Sequence, residues 1–143
     1  MRIAYVTIHV APEIMQGGVG KKIKSHMSIW RERGHEVSLF SLTPAEIPFQ
    51  GERQFVFDAK TSLLKRETNR AFGLMRMLAS VREYKPDVIY LRFGLYSYPL
   101  HRLFNIAPVV LEVNSDDRVE YSTRGKFFYW MNQGLIFIHL RRV

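Results

Sequence analysis

The sequence predicts an α/β fold built around a doubly wound parallel sheet. Three observations predict it: near-continuous apolar segments, amphipathic helical segments between them, and junctions rich in glycine and proline. Strands that alternate with helices along one chain form βαβ units, whose strands pair in parallel. Sheets of this kind bind their ligands outside the carboxyl ends of the strands. The loops that follow the strands are therefore where functional residues are expected.

The first half of the chain predicts three strands and one helix. Residues 2–10 are rich in Ile, Val, Tyr and Thr, as in a parallel strand that is buried on both faces. A helix is predicted next, because apolar residues recur at helical spacing: Val19, Ile23, Met27 and Trp30. It is expected to end at Gly34, since glycine tolerates the left-handed conformation that follows many helices. A second strand is predicted at 36–42 and, after a loop over 43–51, a short third strand at 54–57.

The second half predicts two helices, two strands and a mixed segment. A long helix is predicted over 62–84, with one apolar face formed by Leu64, Ala71, Met75 and Leu78. Strands follow at 87–91 and 109–113, separated by a loop-and-helix segment at 93–104. A last helix is predicted at 120–140. Together these elements predict a single Rossmann-like domain over the 143 residues.

The composition is that of a soluble globular domain. Of the residues, 47% are hydrophobic, 24% charged and 13% aromatic, which excludes a disordered chain. The absence of cysteine excludes disulfides, thiolate zinc sites and thiol nucleophiles, and it fits a cytoplasmic protein. The longest apolar runs, at 127–131 and 134–140, are shorter than a bilayer requires, so no membrane span is predicted.

The formal net charge of +8 predicts anionic partners. Nucleic acid, acidic lipid headgroups and phosphate-bearing small molecules all fit this charge. The basic residues are spread along the chain, and we interpret most of them as parts of solvated helix faces. No zinc, helix-turn-helix or RNA-binding aromatic signature accompanies them, so nucleic acid is not among the predicted partners.

A glycine cluster lies between the first strand and the first helix. Gly17, Gly18 and Gly20 would let the backbone approach an anion at the positive end of the helix dipole. The alternative is a turn that needs positive φ. The pattern is neither a dinucleotide fingerprint nor a Walker A motif, because Ile23 stands where the third glycine belongs and Lys22 is not followed by Ser or Thr.

Polar residues near other predicted strand ends are the remaining candidates. Glu112 and Asn114, with Glu120 beyond them, could bind sugar hydroxyls, or the segment could cap the next helix. Arg92 interrupts an apolar run and could clamp phosphate or carboxylate, or form a surface ion pair. His9 lies near the ligand edge, where it could bind ligand or be a hydrogen-bonded core residue. No group of side chains has metal-ligand spacing, so no metal is predicted.

Several segments, in their order and spacing, resemble the N-terminal domain of GT-B glycosyltransferases of family 4. They are IAYVT at 3–7, the loop with Pro12 and GGVG at 17–20, WRERGHEV at 30–37, PDVIY at 86–90, and PVVLEVN at 108–114. The resemblance covers both ends of the segment 1–120, whereas 43–84 matches only in its pattern.

The resemblance implies a retaining, two-domain enzyme that needs no metal or other cofactor. Its N-terminal half would hold a glycan or lipid-linked acceptor, and its C-terminal half the nucleotide-sugar donor. The loop with Gly17, Gly18 and Gly20 would border donor phosphate and acceptor. Asn114 stands where many members have His, so no catalytic residue is assigned. This chain corresponds to the first half only and is expected to be a fragment without activity. The alternative function is a stand-alone binding module for phosphorylated sugars or anionic polymers.

The C-terminal residues 127–140 are more apolar than one helix face packed on a sheet requires. We expect the excess to drive self-association or attachment to the inner face of the membrane. Basic residues flank the segment and would attract anionic headgroups: Arg124, Lys126, Arg141 and Arg142. The alternative is a helix buried within its own domain.

Overall fold

A computed structural model describes residues 1–8, 16–46, 53–93 and 97–113. The chain divides into two compact units, Met1–Glu112 and Val113–Val143. Of the second unit, only Val113 is among the described residues. The predictions at His9, Asn114 and Glu120, and the helix predicted at 120–140, lie outside the described residues.

The described elements match the predicted elements in type and order. They are β1 (Arg2–Ile8), α1 (Gly18–Glu32), β2 (Glu36–Thr43), β3 (Arg53–Val56), α2 (Leu63–Tyr84), β4 (Val88–Phe93), a 3-10 helix (Leu100–Asn105) and β5 (Val109–Val113). The mixed segment predicted at 93–104 contains the 3-10 helix, which continues one residue beyond it.

The five strands form one parallel sheet in the order β3-β2-β1-β4-β5. The chain starts in the middle of the sheet and builds outward in both directions, so the order reverses between β1 and β4. In that pair Tyr5 lies opposite Tyr90, and Thr7 lies opposite Arg92. The α/β class and a Rossmann-like parallel sheet are thus confirmed. The point of reversal is where such sheets bind ligands.

Helices cover both faces of the sheet, which explains why the strands are apolar on both sides. On one face α1 packs Ile23 and Met27 against Tyr5 and Leu39. On the other face α2 and the 3-10 helix close a larger core, formed by Ala4, Val6, Phe40, Leu42, Leu74, Met77, Val81, Ile89, Leu91, Leu100 and Leu103.

The helix α1 ends at Glu32, two residues before Gly34, the glycine that the sequence predicts as its end. Gly34 has φ of +79° and donates its N–H to the carbonyl of Arg31 at 2.9 Å. His35 donates to the carbonyl of Trp30 at 3.0 Å. This pair of bonds is a Schellman motif, which needs a left-handed residue at its turn and therefore favours glycine.

The buried face of α2 differs from the prediction. Leu78 is buried as expected, but Leu64 is 81% exposed and Met75 is 40% exposed. The residues that face the sheet are Gly73, Leu74, Met77, Leu78, Val81 and Tyr84. The prediction failed because α2 is apolar over a wider arc than the sheet covers, and the predicted face lies at the edge of the part that the sheet covers. Gly73 lets the helix come close to β2, since a Cβ there would lie 2.9 Å from Cδ1 of Leu42.

Candidate functional site

A cluster of charged and hydroxyl side chains lies on the α1 side of the sheet, toward the carboxyl ends of β4 and β5. We call it the Glu112 cluster, and it consists of Tyr5, Lys22, Tyr90, Arg92 and Glu112. Three strands and one helix supply its members: β1, β4, β5 and the second turn of α1. Tyr90 and Arg92 share a face because side chains two apart on a strand point the same way. The cluster therefore stands beside the reversal of strand order.

The carboxylate of Glu112 is the centre of this cluster. One oxygen, Oε1, lies 2.6 Å from Nη1 of Arg92 and 2.6 Å from Nζ of Lys22. The other oxygen accepts a hydrogen bond from the Tyr5 hydroxyl at 3.1 Å. Both oxygens are thus engaged, and two cations share one carboxylate. Within these three ionised side chains the charge is net positive.

Burial differs among the three ionised side chains. Glu112 and Arg92 are mostly enclosed, with 7% and 14% of their side chains exposed. Lys22 is 47% exposed. Solvent screens the Lys22 pair more than the Arg92 pair, so Arg92 is the main counter-charge of the buried carboxylate. Lys22 is therefore the more exposed of the two cations.

The pKa values of three members of the cluster, Glu112, Tyr5 and Tyr90, are shifted from their ordinary values. Burial by itself would raise the pKa of Glu112, but Lys22, Arg92 and the Tyr5 hydroxyl together hold that pKa below its ordinary value. Burial raises the pKa of Tyr5, and the negative charge of Glu112 raises it further. The same two causes raise the pKa of Tyr90. Both phenols are therefore neutral hydrogen-bond donors beside an ionised carboxylate.

The rings of two cluster members, Tyr5 and Tyr90, pack with the rings of His26 and Trp30 on the α1 side. Tyr90 meets Tyr5 and Trp30 edge to face, with ring centroids 5.0 Å apart in both pairs. His26 stacks on Tyr5 at 6.3 Å and lies 5.7 Å from Trp30. Nδ1 of His26 is buried and has no hydrogen-bond partner among the described residues. These ring contacts restrict the movement of Tyr5 and Tyr90. They therefore help to orient the Tyr5 hydroxyl, which donates a hydrogen bond to Glu112.

The structure brings two of the predicted site residues together. Arg92 and Glu112 form the 2.6 Å ion pair. Of the two interpretations of Arg92, the structure shows the ion pair, but the pair is mostly enclosed and does not lie on the surface. Lys22 and Tyr5 were not among the predicted site residues. The sequence contains a partial signal for the cluster, since Tyr90 and Arg92 are two residues apart on a strand and therefore share a face. No local pattern shows that Tyr5 and Lys22 contact Glu112.

The glycine cluster is the start of α1. Gly17 caps the helix with φ of −87°, and its carbonyl accepts the N–H of Lys21 at 3.2 Å. Gly18 is exposed, whereas Gly20 is buried in the first turn. Among the described glycines positive φ occurs at Gly34. A turn with positive φ is therefore not the reason for glycine at the start of this helix.

We expect Gly18→Val to weaken the binding of a phosphate ligand more than it weakens folding. A Cβ at Gly18 would meet no atom within 4 Å, so the free energy of unfolding should change by at most about 0.5 kcal/mol. If the helix start receives an anion, the affinity for glucose 1-phosphate should fall at least tenfold, because a side chain blocks the backbone N–H groups. Thermal unfolding and calorimetric titration measure the two effects.

The matched control for that variant is Gly34→Val. The positive φ at Gly34 should cost about 1–2 kcal/mol of stability in any residue with a Cβ, with no effect on phosphate affinity. A large stability loss in Gly18→Val with phosphate affinity intact would show that this glycine serves the folding of the helix start and not the binding of an anion.

In the described ranges no three His, Asp or Glu side chains converge as metal ligands would. None of the helices described is both long and apolar enough to cross a bilayer.

Fold and site together define an α/β protein with a Rossmann-like parallel sheet and a buried ionic cluster beside its strand reversal. The sequence matches no model of a known protein family, and no curated protein matches it. The chemistry of the cluster is therefore the basis for assigning a function.

Proposed function

We propose that this chain is the acceptor-side domain of a GT-B glycosyltransferase of family 4 type. The observation that carries the proposal is the position of the Glu112 cluster, which lies beside the strand reversal and on the same side of the sheet as α1. In parallel sheets this is the place where ligands bind. The ordered segments that resemble the family support the same function.

The cluster has the chemistry that an acceptor with hydroxyl and anionic groups requires. A guanidinium group has five N–H donors, of which one is seen on Glu112, and Lys22 is half exposed. Both cations can donate to hydroxyls or to a phosphate oxygen. Glu112 holds Arg92 in one orientation, so part of the entropy of ordering this donor is lost on folding and not on binding.

The nucleotide-sugar donor would be held by a second domain, outside these 143 residues. A nucleotide sugar would supply the sugar with retention of configuration, and the acceptor would be a glycan or a lipid-linked molecule on the cytoplasmic face of the membrane. No metal or other cofactor is part of the proposal. We assign the residues of the Glu112 cluster to binding, and none of them to a catalytic step.

We expect the purified chain to transfer no sugar. Sugar transfer needs the binding energy of the donor's nucleotide to reach its transition state. That nucleotide would be bound by another domain, so this chain should not catalyse the transfer. The measurement is product formation from mixed nucleotide sugars and candidate acceptors, compared with a heat-killed control. Turnover above that control would contradict the proposal that the acceptor and the donor are bound by different domains.

The same chain should still bind a phosphorylated sugar, and this binding can be measured. Titration with glucose 1-phosphate, glucose and inorganic phosphate, followed by two-dimensional NMR, should shift signals of the Glu112 cluster most with the phosphorylated sugar. Arg92→Gln should remove the shift. Arg53→Gln removes an equal charge on β3 and should leave it unchanged.

A second function is favoured by the net charge of +8. A stand-alone module for phosphorylated sugars or anionic polymers would use the same cations without a second domain. In that case an anionic polysaccharide such as heparin should compete with glucose 1-phosphate, and glucose itself should add nothing to phosphate. Discrimination between sugars at equal charge would support the transferase domain instead.

A further inference from the structure

The solvent side of α2 carries a line of apolar residues. Leu64 is 81% exposed, Phe72 59% and Met75 40%. With two small exposed neighbours they form a row at helical spacing, which we call the outer stripe: Leu64, Thr68, Phe72, Met75 and Ala79. At 3.6 residues per turn these five positions lie within an arc of about 80°. The helix thus has a second apolar face besides the one on the sheet.

This second face needs an explanation that single exposed residues do not. Isolated apolar side chains are common on protein surfaces, but contiguous ones mark sites of interaction. Phe72 points away from the core residues Leu74 and Val81, which are fully buried on the opposite side of the helix. No role in packing the described core therefore accounts for the stripe.

Exposed cations accompany the outer stripe. Lys65 and Arg76 lie along one flank, and Arg82 lies at the carboxyl-terminal end. Glu83 is the one exposed acid of α2. The other acid of this helix, Glu67, is engaged by Arg70 within the helix. The surroundings of the stripe are therefore net positive, in a chain whose net charge is +8.

We propose that the outer stripe of α2 is a surface that lies on an anionic lipid bilayer. Apolar side chains would enter the boundary between headgroups and acyl chains, and the flanking cations would meet lipid phosphates, as in other interfacial helices. A second copy of the chain fits less well, because it would bring two positive faces together. This inference does not depend on the proposed sugar transfer.

The test is co-sedimentation of the full chain with vesicles. We expect it to bind vesicles of equal parts phosphatidylcholine and phosphatidylglycerol at low salt, and to bind pure phosphatidylcholine much less. The double variant Leu64→Gln with Phe72→Gln should lower the partition coefficient at least tenfold. Lys65→Gln with Arg76→Gln should lower it about fivefold for each cation, equivalent to about 1 kcal/mol each, on anionic vesicles only.

Matched controls come from α1, on the other face of the sheet. Ile29→Gln removes an apolar side chain that is 42% exposed, and Lys24→Gln removes an exposed cation. Both should leave vesicle binding unchanged. Circular dichroism of each variant checks that the total helix content is unchanged.

Three results would overturn the inference. The first is no binding to anionic vesicles at low salt. The second is binding that the α2 variants do not change, which would place the membrane contact elsewhere, for example in residues 127–140. The third is a concentration-dependent dimer in light scattering that Leu64→Gln with Phe72→Gln abolishes, since the stripe would then bind a second copy. None of these results bears on sugar binding at the Glu112 cluster, which the NMR titration measures.

Discussion

Replacing Glu112 by Gln is expected to lower the free energy of unfolding by about 3 kcal/mol. The cause is the positive charge left behind. Arg92 is 14% exposed and would lose the carboxylate at 2.6 Å that compensates its burial. Lys22 suffers less, because it is half exposed and can turn to solvent. Urea unfolding, followed by circular dichroism, measures the change.

Two further variants make this prediction specific to the buried pair. Arg92→Gln in the Glu112→Gln background should recover most of the lost stability, because the uncompensated charge is then gone. Glu36→Gln breaks the exposed ion pair in which Nε of Arg2 lies 3.3 Å from Oε2 of Glu36. This change should lower the free energy of unfolding by less than about 1 kcal/mol. Equal losses at Glu112 and Glu36 would show that the Glu112 cluster is not a buried electrostatic unit.

The effect of Glu112 should also depend on pH in a definite direction. The pKa of Glu112 is lowered in the folded state, so its stabilising contribution is complete above the ordinary carboxyl value of 4.5. It is lost as the pH falls below that value and through the folded pKa. The difference in stability between wild type and Glu112→Gln should therefore shrink in acid. A constant difference over this range would contradict the ion-pair explanation.

Replacing Phe40 by Ala is expected to cost about 4 kcal/mol, the largest single effect we predict for the fold. Phe40 is fully buried on β2, beneath α2. Its ring lies 5.5 Å from the ring of Tyr84. Removing it leaves a cavity between sheet and helix that the surrounding core fills only in part. A domain of this size has about 5–15 kcal/mol of stability in total, so the loss should be large in urea or thermal unfolding.

Phe72→Ala is the matched control for that core variant. It removes the same side chain from the exposed side of α2, where the ring is 59% exposed. Its effect on stability should stay within about 0.5 kcal/mol. If both variants cost the same, the outer stripe would be part of a packed core, and both the fold assignment of α2 and its membrane role would be wrong.

The elements and their order could be predicted because each rests on local physical signals. Residues 3–8 of β1 are predicted to be buried because they are apolar at almost every position, and all six are buried. The end of α1 is predicted by Gly34, since a residue without Cβ adopts positive φ at low cost. Such signals need only a few neighbouring residues.

The candidate site could be predicted only in part, because its members are far apart in the chain. Arg92 and Glu112 attract notice as charges in apolar strands, but they are separated by 20 residues. Tyr5 is separated from Glu112 by 107 residues. Their contact depends on the order of strands in the sheet and on the register of β1 with β4. Neither quantity is a property of any one segment.

The amino-acid sequence by itself determined the α/β class, the succession of the described strands and helices, and, to within two residues, where the strands and α-helices begin and end. Tertiary structure decided which apolar arc of α2 faces the sheet and which side chains surround Glu112. The physical reason is the same in both cases. Helix and strand periodicity follow from the local backbone, whereas the burial of a particular face depends on the partner against which it packs.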